Sequence, residues 1–433
     1  MMSEEVREIQ SSETTEENSL DRVEKLWNKN FFLLWQGQLV SCFGDAIYEI
    51  ALGFWVLAVT GSSALMGTIM AITMIPRIII SPFAGVLIDR ANRKVIILLS
   101  DFIRGAAIIL VGVAIYKGAG AVWMVMLAGI LLGICSAFFG PSISSVMPDI
   151  VPKSRLLQAN SSYQMSTTGA NLVGTMSGGA IFAILGAPIM FILNGFSYLF
   201  SGFMELFLKV PKVIHKKEKA NFKEDFIDGL SFSVKFSGLR NIIVLACVIN
   251  FFSQVGIVLI MPYFNSTPGL DAKKYGIAMG IFTLGMICGM MFLSVVKIAP
   301  KKKFNIFVLS GIVSMGAMVA APITENIYAI CILLYIAGLL NAILNTLLNT
   351  TTQLIVPQEM RGKVFALMGT CTQALSPIGM IVGGVLGGIL GSKQVIVGSF
   401  SATIIFIAFF AFMKSAKKVI NYDPEHETLE DIM

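Results

Sequence analysis

The sequence predicts an all-α integral membrane fold: twelve transmembrane helices in two six-helix pseudo-symmetric bundles, with both termini cytoplasmic. Three observations predict it: an apolar composition, a six-plus-six spacing of long apolar runs, and a one-sided distribution of Lys and Arg. Of 433 residues, 55% are hydrophobic and only 13% charged. A water-soluble domain carries about 25% charged residues, so lipid is the expected solvent. A spanning helix takes about 20 apolar residues to cross about 30 Å of hydrocarbon, and twelve such helices match the hydrophobic content. A cytosolic enzyme, a nucleic-acid binder and a secreted disulfide scaffold are excluded.

Residues 1–29 hold eight acidic and four basic side chains. They lack the apolar stretch of a signal peptide and read as a cytoplasmic tail. Apolar runs follow at about 31–58, 64–88, 95–116, 121–146, 160–185 and 188–208, giving a first bundle over residues 30–208. Residues 209–240, basic and of mixed charge, read as a cytoplasmic linker. A second bundle over 241–413 has runs at about 241–263, 275–296, 304–322, 327–349, 365–390 and 394–413, and residues 414–433 form a second cytoplasmic tail. The six cysteines lie in the apolar runs without a CxxC, and both histidines, His215 and His426, lie in polar segments. Neither a disulfide framework nor a metal site or cofactor is expected.

Orientation comes from the loops, because Lys and Arg accumulate on the cytoplasmic side. With the N-terminus inside, the cytoplasmic loops and linker carry 19 Lys and Arg, and the opposite loops carry four: Lys117, Lys273, Lys274 and Lys393. An internal repeat supports two related halves. Ile150-Val151-Pro152 recurs as Ile355-Val356-Pro357, 205 residues later. In the same register Thr167 meets Thr372, Gly174 meets Gly379, and Gly178-Gly179 meets Gly383-Gly384. Parallel repeats of this kind place a transport site at the interface between halves.

The loop after the second run reads Gly85-Val86-Leu87-Ile88-Asp89-Arg90-Ala91-Asn92-Arg93-Lys94. It resembles the signature GxLaDrxGRk/r of the major facilitator superfamily. Asn92 stands where the family has Gly, a position at which Asn also tolerates the left-handed conformation. The basic cluster Arg90, Arg93 and Lys94 is expected to face the anionic leaflet. The resemblance implies that Gly85, Asp89 and these cations govern conformational switching rather than bind substrate. The counterpart near Lys297 and Lys301 has lost the pattern. Gly174, Gly178 and Gly179 are similar to the superfamily's antiporter motif GPxxGG, with Thr175 in place of Pro. Close helix packing and a hinge favouring export are both open readings, and the eleventh run adds Pro377, Gly379, Gly383 and Gly384.

Ionisable residues inside the runs are few and costly unless paired or hydrated. Asp45 and Glu49 share a helix face at i,i+4, and Arg77 in the next run lies at a matching depth. A structural salt bridge and a proton-coupling or substrate site are the two readings. Asp101 and Arg104 are expected to form a gate network with Asp89, and Glu205 to snorkel to the interface. In the second half Asn250 and Gln254, and Asn341 and Asn345, are spaced at i,i+4, for helix–helix hydrogen bonding or for a polar cavity wall.

The segments Asn30–Gln38, Gly44-Asp45 and Leu156–Asn160 resemble the bacterial macrolide and drug efflux branch of that superfamily. The resemblance implies a secondary transporter of the bacterial cell membrane, not an enzyme: an antiporter exporting amphipathic compounds in exchange for protons or Na⁺, by alternating access. The expected partners are a small amphipathic substrate, the coupling ion and the lipid bilayer, with no nucleic acid and a monomeric chain. No Walker motif is present. A dedicated exporter of a siderophore, lipid or metabolite is the alternative, and an integral-membrane sensor or enzyme a lower one.

Overall fold

The computed structural model describes residues 26–88, 92–152, 155–210, 230–296, 298–357, 360–422 and 427, and among them there is no strand. The helices are α1 (Lys29–Thr60), α2 (Ser63–Ile88), α3 (Arg93–Tyr116), α4 (Val122–Ile150), α5 (Leu156–Leu206), α6 (Ser237–Ile257) and α7 (Ile260–Ser266). They continue with α8 (Ala272–Val295), α9 (Pro300–Thr324), α10 (Ile327–Ile355), α11 (Arg361–Leu390), α12 (Ser392–Ala411) and α13 (Lys414–Ile420). Eleven helical segments among the described residues are long and apolar enough to cross a membrane, with α6 and α7 acting as one.

The eleven include one element of unusual length. α5 runs for 51 residues, about 76 Å at 1.5 Å per residue, against about 30 Å of hydrocarbon. It is not a continuous helix. Gly186 has φ 71° and ψ 168°, a conformation that glycine adopts without penalty. Pro188 follows, and its missing N–H suits the first turn of a new helix. The break falls between the runs 160–185 and 188–208 read from the sequence.

Asn92, where the superfamily signature has Gly, does not use the left-handed conformation. Its backbone is extended (φ −75°, ψ 105°), and its side-chain oxygen accepts hydrogen bonds from the Lys94 and Val95 amides, capping α3. Asn92→Ala is expected to lower stability by about 1 kcal/mol, the usual worth of an N-cap; thermal unfolding in detergent micelles measures it.

The chain divides into two compact units. One comprises Met1–Tyr48, Ile79–Gly174 and Pro188–Lys217. Its core joins Phe31 and Leu34 of α1, Ile97 of α3, Phe139, Ile143 and Val146 of α4, and Ala159 of α5. Asn28 ties α1 to α4: its Oδ1 accepts from the Phe31 amide at 3.0 Å, and its Nδ2 donates to the Ile150 carbonyl at 2.8 Å.

The other unit comprises Glu49–Ile78, Thr175–Ala187 and Glu218–Met433, so it draws on both halves of the sequence. Three first-half segments pack against second-half helices within it. Phe54 of α1 meets Tyr275 of α8 with ring centroids 5.7 Å apart. The start of α2 lies on α11, where Ser63 Oγ donates to the Gly384 carbonyl at 3.0 Å. The 175–185 stretch of α5 lies on α8 so closely that a Cβ on Gly179 would sit 1.8 Å from the Ala272 carbonyl oxygen. Gly179 and Gly384 are partners in the 205-residue repeat. The two copies therefore use the same glycine at corresponding crossings, α5 on α8 and α11 on α2.

Candidate functional site: a buried acid–arginine cluster

The first unit contains a polar interior built by three helices. α1 contributes Gln38, Cys42 and Asp45 at i, i+4 and i+7, on one face. α3 contributes Asp101 and Arg104. α5, beyond its break, contributes Asn194, Ser197, Tyr198, Ser201 and Glu205, whose spacings of three and four form a single stripe. Asp101 and Glu205 are fully buried, and Arg104 is 5% exposed.

Arg104 forms an ion pair with Asp101. Its guanidinium lies 4.2 Å from the Phe139 ring centre and 4.4 Å from that of Tyr198, so the charge is held between two aromatic faces. Tyr198 also reaches the neighbouring acid, since its hydroxyl donates to Asp45 Oδ1. Asn194 Nδ2 donates to the same oxygen at 3.4 Å. At the other end Gln38 Nε2 donates to Glu205 Oε1 at 3.3 Å, Ser201 Oγ donates to it at 3.4 Å, and Tyr163 OH donates to Gln38 Oε1 at 3.4 Å. Three carboxyls thus surround one cation, two of them fully buried.

These positions correct one expectation and extend another. Glu205 does not snorkel: Gln38 and Ser201 hold it inside the bundle, where a carboxyl has donors that lipid lacks. Asp101 and Arg104 join Asp45 and Glu205 in one interior cluster; Asp89, their expected partner, lies outside the described residues, as does Arg90. Glu49 and Arg77 are exposed on α1 and α2 within the second unit. Gly85 lies in α2. Arg93 does not simply face the leaflet; it pairs with Asp149 at 3.0 Å, and Lys94 Nζ donates to the Leu206 carbonyl at 2.7 Å.

The glycines sit at helix crossings. A Cβ on Gly174 would be 2.7 Å from Ala46 Cβ, one on Gly379 2.7 Å from the Phe251 carbonyl, and one on Gly383 2.4 Å from that of Val255. Gly178 and Pro377 are buried. Asn250 Oδ1 accepts from Ser376 Oγ at 2.7 Å. Gln254 Oε1 is buried without a partner among the described residues. Asn345 Nδ2 donates to Asn341 Oδ1 at 2.9 Å near the middle of α10 and is exposed there.

Beside the polar face of α1 runs an apolar one. Trp35, Leu39 and Phe43, at steps of four, join Trp27, Met165 and Val173 to line a groove of about 480 Å³.

Comparison with known proteins fixes the family. The profile of the Major Facilitator Superfamily matches residues 34–380. The chain belongs to that superfamily. It is a multi-pass transporter of the cell membrane with efflux-pump relatives. Macrolide efflux protein A of Streptococcus pyogenes is 22% identical over 368 residues, covering 82% of this chain and 89% of the relative. The multidrug efflux pump Tap of Mycobacterium tuberculosis (strain CDC 1551 / Oshkosh) is 22% identical over 365 residues, covering 82% and 86%. Among solved structures, a bacterial homolog of the human lysosomal transporter Spinster, inward-facing and occupied, superposes with a TM-score of 0.72 at 14% identity, over 91% of this chain and 98% of that one. That likeness concerns the fold.

Proposed function

We propose that this superfamily member is a proton-coupled exporter of amphipathic compounds, of drug or macrolide type, working by alternating access. The observation that carries the reading is the buried cluster, in which Asp45, Asp101 and Glu205 share the single guanidinium of Arg104. Uncompensated charge in such an interior is costly, so protonation is the least expensive way to relieve it. Asp45 is the half-buried member of the three and the one a cavity proton reaches first. Glu49 and Arg77, exposed on α1 and α2, are cavity groups that tune it. The names of the efflux relatives support export, and the groove at Trp35 and Met165 supports an apolar cargo.

The chain crosses the membrane twelve times, with α5 counted on either side of Gly186. The Lys and Arg bias places both termini in the cytoplasm. The bundles 30–208 and 241–413 rock against each other, and the crossings at Gly179 and Gly384 are the exterior gate, with Gly174, Gly178 and Pro377 as its hinge. Gly85, Asp89, Arg90, Arg93 and Lys94 form the cytoplasmic switch. Asn250, Gln254, Asn341 and Asn345 line the facing wall.

Reconstituted protein tests this with a radiolabelled macrolide. Acidifying the compartment that corresponds to the cell exterior is expected to drive accumulation there. Asp45→Asn is expected to lose the pH-driven component while keeping downhill exchange. Undiminished proton-driven transport in both Asp45→Asn and Glu49→Gln would overturn the coupling role, and a response to a Na⁺ gradient alone would reassign the ion.

A further inference from the structure

A second feature of the cluster lies away from Asp45. The carboxyl groups of Asp101 and Glu205 are hydrogen-bonding neighbours inside the bundle. Each has one oxygen, Oδ2 of Asp101 and Oε2 of Glu205, that is buried without a donor. Their remaining oxygens are already served, Asp101 Oδ1 by Arg104 and Glu205 Oε1 by Gln38 and Ser201. The single Ser201 hydroxyl proton lies between both carboxyls and can serve only one of them at a time. Two carboxylates cannot hydrogen-bond to each other, and a buried oxygen without a donor costs free energy. One proton on either carboxyl turns an acceptor into the missing donor. Charge counting points the same way. With both acids ionised, the pair and Arg104 sum to −1, with Asp45 adding a further negative charge nearby; with one proton, Asp101, Glu205 and Arg104 are neutral together.

We propose that Asp101 and Glu205 hold one proton between them, forming a proton-binding site separate from Asp45. Cys42 on α1, Cys135 on α4, and Tyr163 and Tyr198 on α5 also surround it. None of these carries a positive charge, so Arg104 is the one cation close to the pair among the described residues. The pair is therefore the kind of two-acid site in which like charges keep one proton bound. This deepens the proposed coupling, because Asp45 then exchanges its proton beside an interior that is already neutral. It does not depend on that coupling, since a bound proton is detectable in a protein that transports nothing.

The test is infrared spectroscopy of the purified full-length protein at neutral pH, in H₂O and D₂O. A protonated carboxyl gives a C=O stretching band, clear of the ionised carboxylates, that shifts in D₂O. The band is expected in the wild type, expected to persist in Asp45→Asn, and expected to be lost in Glu205→Gln, whose amide supplies the donor instead. Should Glu205→Gln fail to fold, wild-type protein carrying ¹³C-carboxyl Asp or Glu answers the same question, because the label on one of the two must move the band. No band in the wild type, or a band that neither Glu205→Gln nor either label alters, overturns the proposal. Loss of the band in Asp45→Asn alone also overturns it, and places the proton on Asp45. Absence of proton-driven transport with the band intact would instead overturn the coupling and leave the site standing.

Discussion

Arg104→Met is expected to cost about 3–5 kcal/mol of stability, the usual result of removing one partner from a buried ion pair. The magnitude follows from what is left behind. Asp101 is fully buried, and without Arg104 its carboxyl has no counter-charge and must either stay ionised inside the bundle or take up a proton. Methionine fills most of the space between Phe139 and Tyr198, so loss of packing contributes little and loss of charge dominates. Asp101→Asn combined with Arg104→Met removes both charges of the ion pair and leaves the shared proton to Glu205. It is therefore expected to recover most of the lost stability, because replacing a whole buried pair by neutral groups is often close to neutral. Arg104→Lys is expected to rescue only partly. An ammonium does not fill the flat slot between two rings or present a planar fork to a carboxylate. Thermal unfolding followed by fluorescence-detected size exclusion reads all three. A single variant as stable as the wild type, or a double variant no better than the single one, would show that the pair does not organise this interior. Transport is expected to be lost in Arg104→Met even at temperatures where it remains folded.

The all-helical, many-span character was readable because lipid imposes it: run lengths and the Gly186-Ala187-Pro188 break are consequences of a helix that must stop at a membrane face. The candidate site was readable only in part. Asp45, Asp101 and Arg104 stand out because charge is rare in apolar runs. Their grouping does not, since which helix faces meet is a tertiary fact, and matching depth alone pointed to Arg77. The α5 contribution was missed although its signal was present. Asn194, Ser197, Tyr198, Ser201 and Glu205 recur at steps of three and four, which makes one polar stripe. Ser, Asn and Tyr are common in packed membrane helices, so the stripe says little until a charged residue lies opposite. Glu205 was misread for a related reason: its place near the end of a run suggested snorkelling, while Gln38, the donor that keeps it inside, is 167 residues away.

Gly179→Leu is expected to open the closed crossing between α5 and α8 and to abolish net transport. The obstacle is backbone: a Cβ at this position would lie 1.8 Å from the Ala272 carbonyl oxygen and 2.9 Å from Lys273 Cα. No rotamer change relieves such a contact, so the helices must part. Overpacking of this kind costs about 1–3 kcal/mol, and every 1.4 kcal/mol shifts an equilibrium about tenfold. The ratio of open to closed crossings is therefore expected to rise by about fivefold to a hundredfold. Phe54, 3% exposed and in ring contact with Phe182 and Tyr275, reports on it. In a background with the six native cysteines replaced by serine, Phe54→Cys should react with a membrane-impermeant maleimide about tenfold faster when Gly179→Leu is present. Gly384→Leu should act in the same direction, because a Cβ there would be 2.7 Å from the Ser63 carbonyl oxygen at the repeat-related crossing. Gly398→Ala, where a Cβ meets nothing within 4 Å, should leave both labelling and transport unchanged. Equal labelling rates with and without Gly179→Leu would mean that this crossing is not a gate. An effect at Gly179 without one at Gly384 would mean that the two repeats do not share the opening movement, since a rocking motion about a two-fold axis has to part both crossings together.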